Sequence, residues 1–251
     1  MFDKIRFDDF LNSHIDIHEI FLLKLQKNLC DGAKKHLHRG LIMRLNMMGE
    51  AILTLDQEIG KSEEPLDHYL ATKLTLLLNA YYLNLAGSLD NLAWALIYQY
   101  TLVEDVDENK QKHREIAQIF GNKFLVKLRE KNLEQLDKEL QPFRDWYRDM
   151  RQFRDPAAHR IPLLVPYSVY SEEDVKKAQE LDEAAAQLIR QRERKEGMNL
   201  AHQSYQLGKH IPIFISENPE IQPYDLARQV NLDHANWLRI VEIVLRIGFS
   251  G

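Results

Sequence analysis

Leu133, Leu136, Leu140, Phe143, Tyr147 and Met150 recur at intervals of 3, 4, 3, 4 and 3 residues, which draws one apolar stripe along a helix. A second stripe, Leu37, Leu41, Leu45, Met48, Ile52, Leu55 and Ile59, has Gly60 as its natural stop. Before it, Ser13-His-Ile-Asp16 has the form of a capping box ahead of Ile17, Phe21, Leu22, Leu25 and Leu29, and predicts a helix over about 14–30. From Leu70 to Leu102 the only charged residues are Lys73 and Asp90. A helix apolar on every side is one that other elements surround. Asn79, Asn84, Asp90 and Asn91 interrupt it, which argues against a membrane span. Asn84, Ser88 and Asn91 share one face, and Asn79 and Asp90 another; buried polar groups of this kind must find partners.

The rest of the pattern is shorter. An acidic connector over 103–109 leads to a helix over about 113–131, with Ile116, Ile119, Phe120, Leu125 and Leu128 inward and a bend at Gly121-Asn122. The helix beginning near Leu133 is kinked or restarted at Pro142. Residues 163–170 and 211–215 read as extended and could pair as a two-stranded ribbon, although each contains proline. Between them, Ser171 caps a helix opened by Glu172, Glu173 and Asp174, with Val175, Ala178, Leu181, Ala185 and Leu188 as its apolar face. Residues 198–224 read as loop-rich. A last helix, from Leu226 or Asp233 to Ile247, carries Trp237, Ile240, Val241, Val244 and Leu245 and stops at Gly248. The expected fold is all-α: an up-and-down helical bundle with additional C-terminal helices and room for a small ribbon. We expect a single domain over 1–251, with 1–162 the bundle core and 163–251 a helical extension that packs back on it.

Composition narrows the function. The chain has 251 residues, and a 45% hydrophobic, 28% charged balance supports a substantial core. A net charge of −5 argues against a wholesale nucleic-acid coat but leaves room for a local RNA site. Cys30 is the sole cysteine, so no intrachain disulfide or cysteine zinc cluster can form, which fits a reducing cytoplasm. The first residues lack a signal peptide's basic start and apolar run. No Walker loop, GxGxxG or GxSxG is present. His14 and His18 could share a helix face, but no third ligand of suitable spacing accompanies them, so no metal or other cofactor is expected. Lys34, Lys35, His36, His38 and Arg39 read first as a solvated helix start, yet cations at a helix N-terminus oppose its dipole.

The chemistry concentrates where the first stripe ends. Its next position is Arg154, and a guanidinium on such a face needs an anionic or hydrogen-bonding partner, an internal carboxylate or a ligand. Pro156 biases Asp155 away from helical angles. The economical expectation is that one helix ends near Arg154 and a new turn starts with Asp155 as N-cap, placing His159 in its first turn, where the dipole favours neutral imidazole. The alternative is one continuous helix kinked at Pro156. A neutral His near a fixed Arg suits metal-free phosphodiester chemistry: the imidazole takes a ribose 2′-hydroxyl proton and the guanidinium holds the phosphate. One hypothesis is that Asp90 or Asn91 approaches Arg154 or His159; ordinary core hydrogen bonds or a dimer seam are the equal alternatives. Arg190, Arg192 and Arg194 would offer a further phosphate-binding surface.

Arg154-Asp155-Pro156-Ala157-Ala158-His159, followed by Arg160-Ile161-Pro162, resembles the Arg-polar-x3-His motif of the HEPN superfamily, all-helical domains of toxin–antitoxin, CRISPR-associated and RNA-processing systems. The motif covers six residues, and the helical context extends the resemblance loosely over 65–162. It implies metal-independent RNA cleavage at a composite site where two motifs meet across a homodimer. Arg154 would then bind the scissile phosphate, His159 would transfer protons and Asp155 would orient them. It also implies a role in toxin–antitoxin pairing or defence, with a protein partner such as an antitoxin and no membrane. Pro156 and the tail after 162 are not part of the minimal pattern. The competing reading is a non-catalytic helical interaction or RNA-binding module.

Overall fold

The computed structural model describes residues 4–20, 28–59, 64–108, 113–159, 161–216 and 222–249, and the side chain of His159 lies outside the described set. The protein is an all-α helical bundle carrying one very small ribbon. Helix α1 is Phe7–Glu19. Helix α2, Asp31–Lys35, runs through a π-helical segment, His36–Ile42, into α3, Met43–Glu58. Helix α4 is His68–Tyr100, α5 Asn122–Glu130, α6 Glu134–Leu140 and α7 Arg144–His159. Helices α8, Glu172–Arg190, and α9, Arg194–Tyr205, form a hairpin. Strands β1, Ile213–Phe214, and β2, Tyr224–Asp225, precede α10, Leu226–Ile247.

Helix α4 is the axis. Asp67 caps it by accepting from the Leu70 amide at 2.8 Å. Its sides are buried against α2, the π segment, α3, α7 and α10. The second stripe is also borne out: Leu37, Leu41, Leu45, Met48, Ile52 and Leu55 are buried, and Ile59 packs at the edge. Gly60, the expected stop, lies outside the described residues.

The first helix differs from expectation. It starts at Phe7, and Ser13 is not a cap: it is buried inside α1 and its hydroxyl donates to the Asp9 carbonyl at 2.6 Å. Phe10 is buried with Ile17, so the apolar face begins earlier than the capping pattern implied. Much of the expected C-terminal half falls on residues outside the described set, and Cys30 is instead the cap of α2, its sulfur accepting from the Ala33 amide at 3.4 Å. The helix expected over 113–131 is also shorter. Residues 114–121 are turns and irregular chain, and the helix within this stretch is Asn122–Glu130.

The approach to the motif is held by Asp137, buried and bridging Arg129 of α5 at 2.5 Å and Arg144 of α7 at 2.8 Å. Between them, Pro142 sits in a 3-10 turn, Gln141–Phe143, that joins α6 to α7 without an interior proline penalty.

The C-terminal part forms two units. Ser171 makes the expected capping box with Asp174, but Val175 is 41% exposed, and only Ala178 and Ala185 of its helix's apolar face are buried. Helix α9 occupies much of the region read as loop, and α8 and α9 pack chiefly on each other. Residues 163–170 do meet the 209–215 segment, through bridges between Leu164 and Ile215 and between Val169 and Lys209, while the ribbon proper is β1 with β2, antiparallel, Ile213 opposite Asp225. Helix α10 starts at Leu226, capped by Asp225, and buries Trp237, Ile240, Val241, Val244 and Leu245 against the bundle.

Candidate anion-binding and catalytic site

Helix α7 does not break at Pro156. It continues to His159, the kinked-helix alternative rather than the restart with Asp155 as cap. Proline there removes the bond to the Gln152 carbonyl. The loss falls in the last turn, where little helix remains to disrupt, and Pro156 is buried three residues from buried Phe153, so both add to one apolar face. The backbone of residue 159 therefore ends a helix and does not open one, opposite to the sequence expectation. In one unbroken helix, positions 154 and 159 stand about 140° apart round the axis.

The stripe that seemed to point to Arg154 turns at its end. Met150 is followed in the core by Phe153, one residue earlier than the 3-4 alternation implies. The Phe153 ring packs on Tyr82 of α4 (5.0 Å between centroids), on Phe214 of β1 edge to face (5.4 Å) and on Tyr224 of β2 edge to face (4.9 Å). The ribbon thus holds the motif helix. Trp146 on the same helix donates to Asp233 of α10 at 2.8 Å, and that buried carboxylate also accepts from Tyr82 at 2.8 Å and Gln229 at 3.1 Å. Burial pushes the Asp233 carboxyl up against the lowering effect of these three donors. Beyond the motif, Asn79 of α4 clamps the chain: its amide donates to the Leu163 carbonyl at 2.8 Å and its oxygen accepts from the Leu163 amide at 3.0 Å.

With Phe153 inward, Arg154 is 32% exposed and lines a cleft of about 580 Å³. The cleft brings Arg44 of α3, Arg114, and Arg151 and Arg154 of α7 around Asp90 and Asn91 of α4, with His36, Trp94, Gln118 and Tyr147 completing much of the wall. Asp90 and Arg154 thus share one site, as the sequence suggested. Arg154 Nη1 donates to Asp155 Oδ1 at 2.9 Å and Arg151 Nη2 to Asp155 Oδ2 at 2.9 Å. Arg154 is therefore neither buried on a distant internal carboxylate nor left bare.

Burial pushes the Asp90 carboxyl up to about 6, and the charges of Arg154, Arg44 and Arg151 only partly offset it. Burial, reinforced by the Asp90 charge, pushes the Tyr147 hydroxyl up to about 12, so it remains a proton donor at neutral pH. For Asp155, burial raises the carboxyl, but the hydrogen bonds and charges of Arg154 and Arg151 outweigh it and hold it below the usual range.

Arg44 owes its position to Gly87. A methyl group at 87 would overlap the Arg44 guanidinium, which lies against α4 and donates to Asn84 Oδ1 at 3.1 Å. Asn91 donates to the Gly87 carbonyl at 2.7 Å, which turns its oxygen toward His36; His36 Nδ1–H donates to that oxygen at 3.1 Å. Asn84 and Asn91 accordingly face the cleft side of α4. Ser88 instead accepts from Trp237 of α10 at 2.6 Å and donates to Leu85, so it serves the core.

Sequence reasoning missed Arg44, Arg114, Trp94 and Tyr147 as site residues, and weighted His36 toward solvent. Arg190, Arg192 and Arg194 are exposed around the turn of the α8–α9 hairpin. His14 and His18 stack with centroids 4.9 Å apart; burial first, then the His18 charge, lowers His14 despite a hydrogen bond with Asn46. Among the described residues no group of three or more potential metal ligands comes together, and no helix is long and apolar enough to cross a membrane. Comparison of the chain with protein-family models, with curated proteins and with solved structures gave no match.

Proposed function

We propose that this protein is a HEPN-like, metal-independent endoribonuclease whose phosphate-binding site is the arginine cleft. The observation that carries the reading is the gathering of Arg44, Arg114, Arg151 and Arg154 around a single cleft carboxylate, Asp90. Four guanidiniums against two carboxylates, Asp90 in the cleft and Asp155 beside Arg151 and Arg154, leave a surplus of positive charge for a polyanion, since fixed planar forks match phosphate oxygens and hold developing charge without a metal. Arg154, the first residue of the motif, is in that cleft. Asp155 fixes it from the adjacent position, which is the orienting role the resemblance assigns to the polar residue.

His159 acts as the proton-transfer group on this reading, and the helix argues for a composite site. A separation of about 140° on one helix sets Arg154 and His159 of one chain apart, so a second copy would supply the histidine. In the reaction, the imidazole removes the 2′-hydroxyl proton, the 2′-oxygen attacks the phosphorus to close a 2′,3′-cyclic phosphate, and the bond to the 5′-oxygen breaks as that oxygen takes a proton from water and leaves as a hydroxyl. The guanidiniums hold the non-bridging oxygens as charge builds on them.

The second reading is a non-catalytic RNA-binding module that uses the same cleft, favoured by the same helical separation if the protein acts as a monomer. The test is cleavage of RNA in EDTA by wild type, Arg154→Ala, His159→Ala and an equimolar mixture of the two variants. A composite nuclease loses activity in each variant and regains part of it in the mixture, where one site of each mixed dimer is intact. Cleavage unchanged by either substitution contradicts the assignment; binding without cleavage favours the second reading.

A further inference from the structure

We infer that the cleft contains a nucleobase subsite, formed by Trp94 with His36 beside the arginines, and that its ligand is a single-stranded segment with one base stacked against the Trp94 ring. The inference rests on the reading of the cleft as a phosphodiester site and adds what else of the nucleotide it holds.

Three observations support it. First, the wall next to the guanidiniums is aromatic. Half-buried Trp94 lines the cleft, and the His36 ring lies nearly parallel to it, 5.7 Å between centroids and 17° between planes; His36 also stacks on Tyr98 at 5.4 Å and 27°. Second, this wall is built rather than incidental. His36 opens a seven-residue π-helical segment, a widened helix that commonly re-aims side chains at functional sites. Within that segment Gly40 lets α4 come close, since a methyl group there would overlap the Asn91 side chain. Asn91 is the residue that fixes the His36 ring, so the π segment, Gly40 and Asn91 together hold the imidazole against Trp94. Third, the size suits one nucleotide unit: about 580 Å³ is within the usual range for a small-ligand site of ~300–1,000 Å³. Exposed Arg114, also on the cleft wall, can meet a neighbouring phosphate.

The combination selects a ligand class. Guanidiniums alone would take phosphate from duplex and single strand alike. A stacking face is useful only to a base that is out of a helix, and tolerates any base because each has a π face. A duplex keeps its bases inside and cannot reach Trp94.

The test uses the full chain and a fluorescently labelled 2′-O-methyl oligoribonucleotide, which cannot be cleaved through its 2′-oxygen, the same length of 2′-O-methyl strand with abasic sugars, and a duplex of the same sequence. Anisotropy titrations compare wild type with Trp94→Leu, which keeps an apolar side chain without a ring, and Trp94→Phe, which keeps a ring; circular dichroism melts check that each is folded. Wild type is expected to bind the intact single strand about tenfold or more tighter than the abasic strand. Trp94→Leu should erase that preference and Trp94→Phe keep most of it. Equal binding of intact and abasic strands by wild type, or a preference that survives in Trp94→Leu, overturns the inference. Arg154→Ala separates the two claims: unchanged abasic-strand binding in that variant removes the phosphate reading, while the Trp94-dependent preference is read independently of it.

Discussion

Asp155 accepts from Arg154 on one carboxylate oxygen and from Arg151 on the other, each at 2.9 Å. The carboxylate therefore holds two guanidiniums of one helix in a fixed relation to the cleft. Its pKa is depressed in the folded protein, so its contribution to stability is present above the unfolded value near 4 and disappears as pH falls through the folded value. Asp155→Asn should lower stability by no more than ~1 kcal/mol at pH 7, because the group is 34% exposed, with the difference vanishing in melts once the pH is below the folded value. Its effect on RNA cleavage should be larger than its effect on stability, since both arginines lose their anchor.

Asp90 has the opposite sign. Its folded pKa of about 6 is above the unfolded value of 3.8, so the folded state binds more protons between them and stability falls as pH rises through that window. Asp90→Asn should raise the melting temperature at pH 8 by an amount corresponding to up to ~3 kcal/mol and leave it unchanged below about pH 4. The same carboxylate feels the charges of Arg154, Arg44 and Arg151 and shares the cleft wall with Arg114, Tyr147 and His36. Phosphate-backbone binding by wild type should therefore tighten between pH 7.5 and 5.5, and Asp90→Asn should bind tightly already at pH 7.5.

His234 works against Asp90 in nearly the same window. It is buried beside Phe10 (4.5 Å) and Trp237 (5.4 Å), and neither ring nitrogen has a hydrogen-bond partner among the described residues. Burial lowers its pKa to about 4. The unfolded state binds more protons between about 4 and 6.5, so this residue adds stability that is lost on acidification through that range. His234→Phe should reduce the loss of melting temperature between pH 6.5 and 4, by the equivalent of at most ~3 kcal/mol. A variant with the wild-type acid profile would contradict this.

Gly87→Ala tests the cleft without touching a charge. The overlap is with the far end of a flexible side chain, so Arg44 can swing out at small cost. The melting temperature should change little, while RNA affinity falls about tenfold, the scale of one charged phosphate contact. Phe153→Ala is the structural counterpart. It empties a site shared by Tyr82, Phe214 and Tyr224 and should cost ~3–5 kcal/mol in denaturant unfolding.

Where packing dictated the sequence, the sequence was readable. The α4 core, the Leu37–Leu55 stripe, the Ser171 capping box and α10 all followed from periodicity and caps, because burial on one face imposes a period. Three local rules misled. Ser13 looks like a cap, but Phe10 already belongs to a buried face, so tertiary packing extended the helix through it. Pro156 looks like a break, but it is buried beside Phe153 at a helix end, where its missing hydrogen bond costs least. The ribbon was sought between 163–170 and 211–215, which meet only at isolated bridges; β1 pairs with β2 because the Tyr224 and Phe214 rings stack at 5.1 Å against Phe153.

Of the site, Arg154, Asp155 and the approach of Asp90 were legible, since an arginine and a carboxylate on otherwise apolar helices need partners. Arg44 and Arg114 were not. They lie 110 and 40 residues from Arg154 in sequence, each has an ordinary solvent-exposed reading, and only the packing of α3 on α4 beside α7 brings Arg44 to the cleft. His36 read as part of a basic helix start because a π-helical turn re-aims it, and no 3.6-residue pattern reveals such a turn.

The central claim is that the phosphodiester sits in the arginine cleft. The most direct measurement is anisotropy of a labelled single-stranded 2′-O-methyl RNA, which cannot be cleaved through its 2′-oxygen, titrated with wild type, Arg44→Ala, Arg154→Ala and, from the exposed hairpin turn, Arg192→Ala. The account predicts an affinity loss of about tenfold for each cleft variant and none for Arg192→Ala. Wild-type affinity in both cleft variants, or a loss confined to Arg192→Ala, would contradict it.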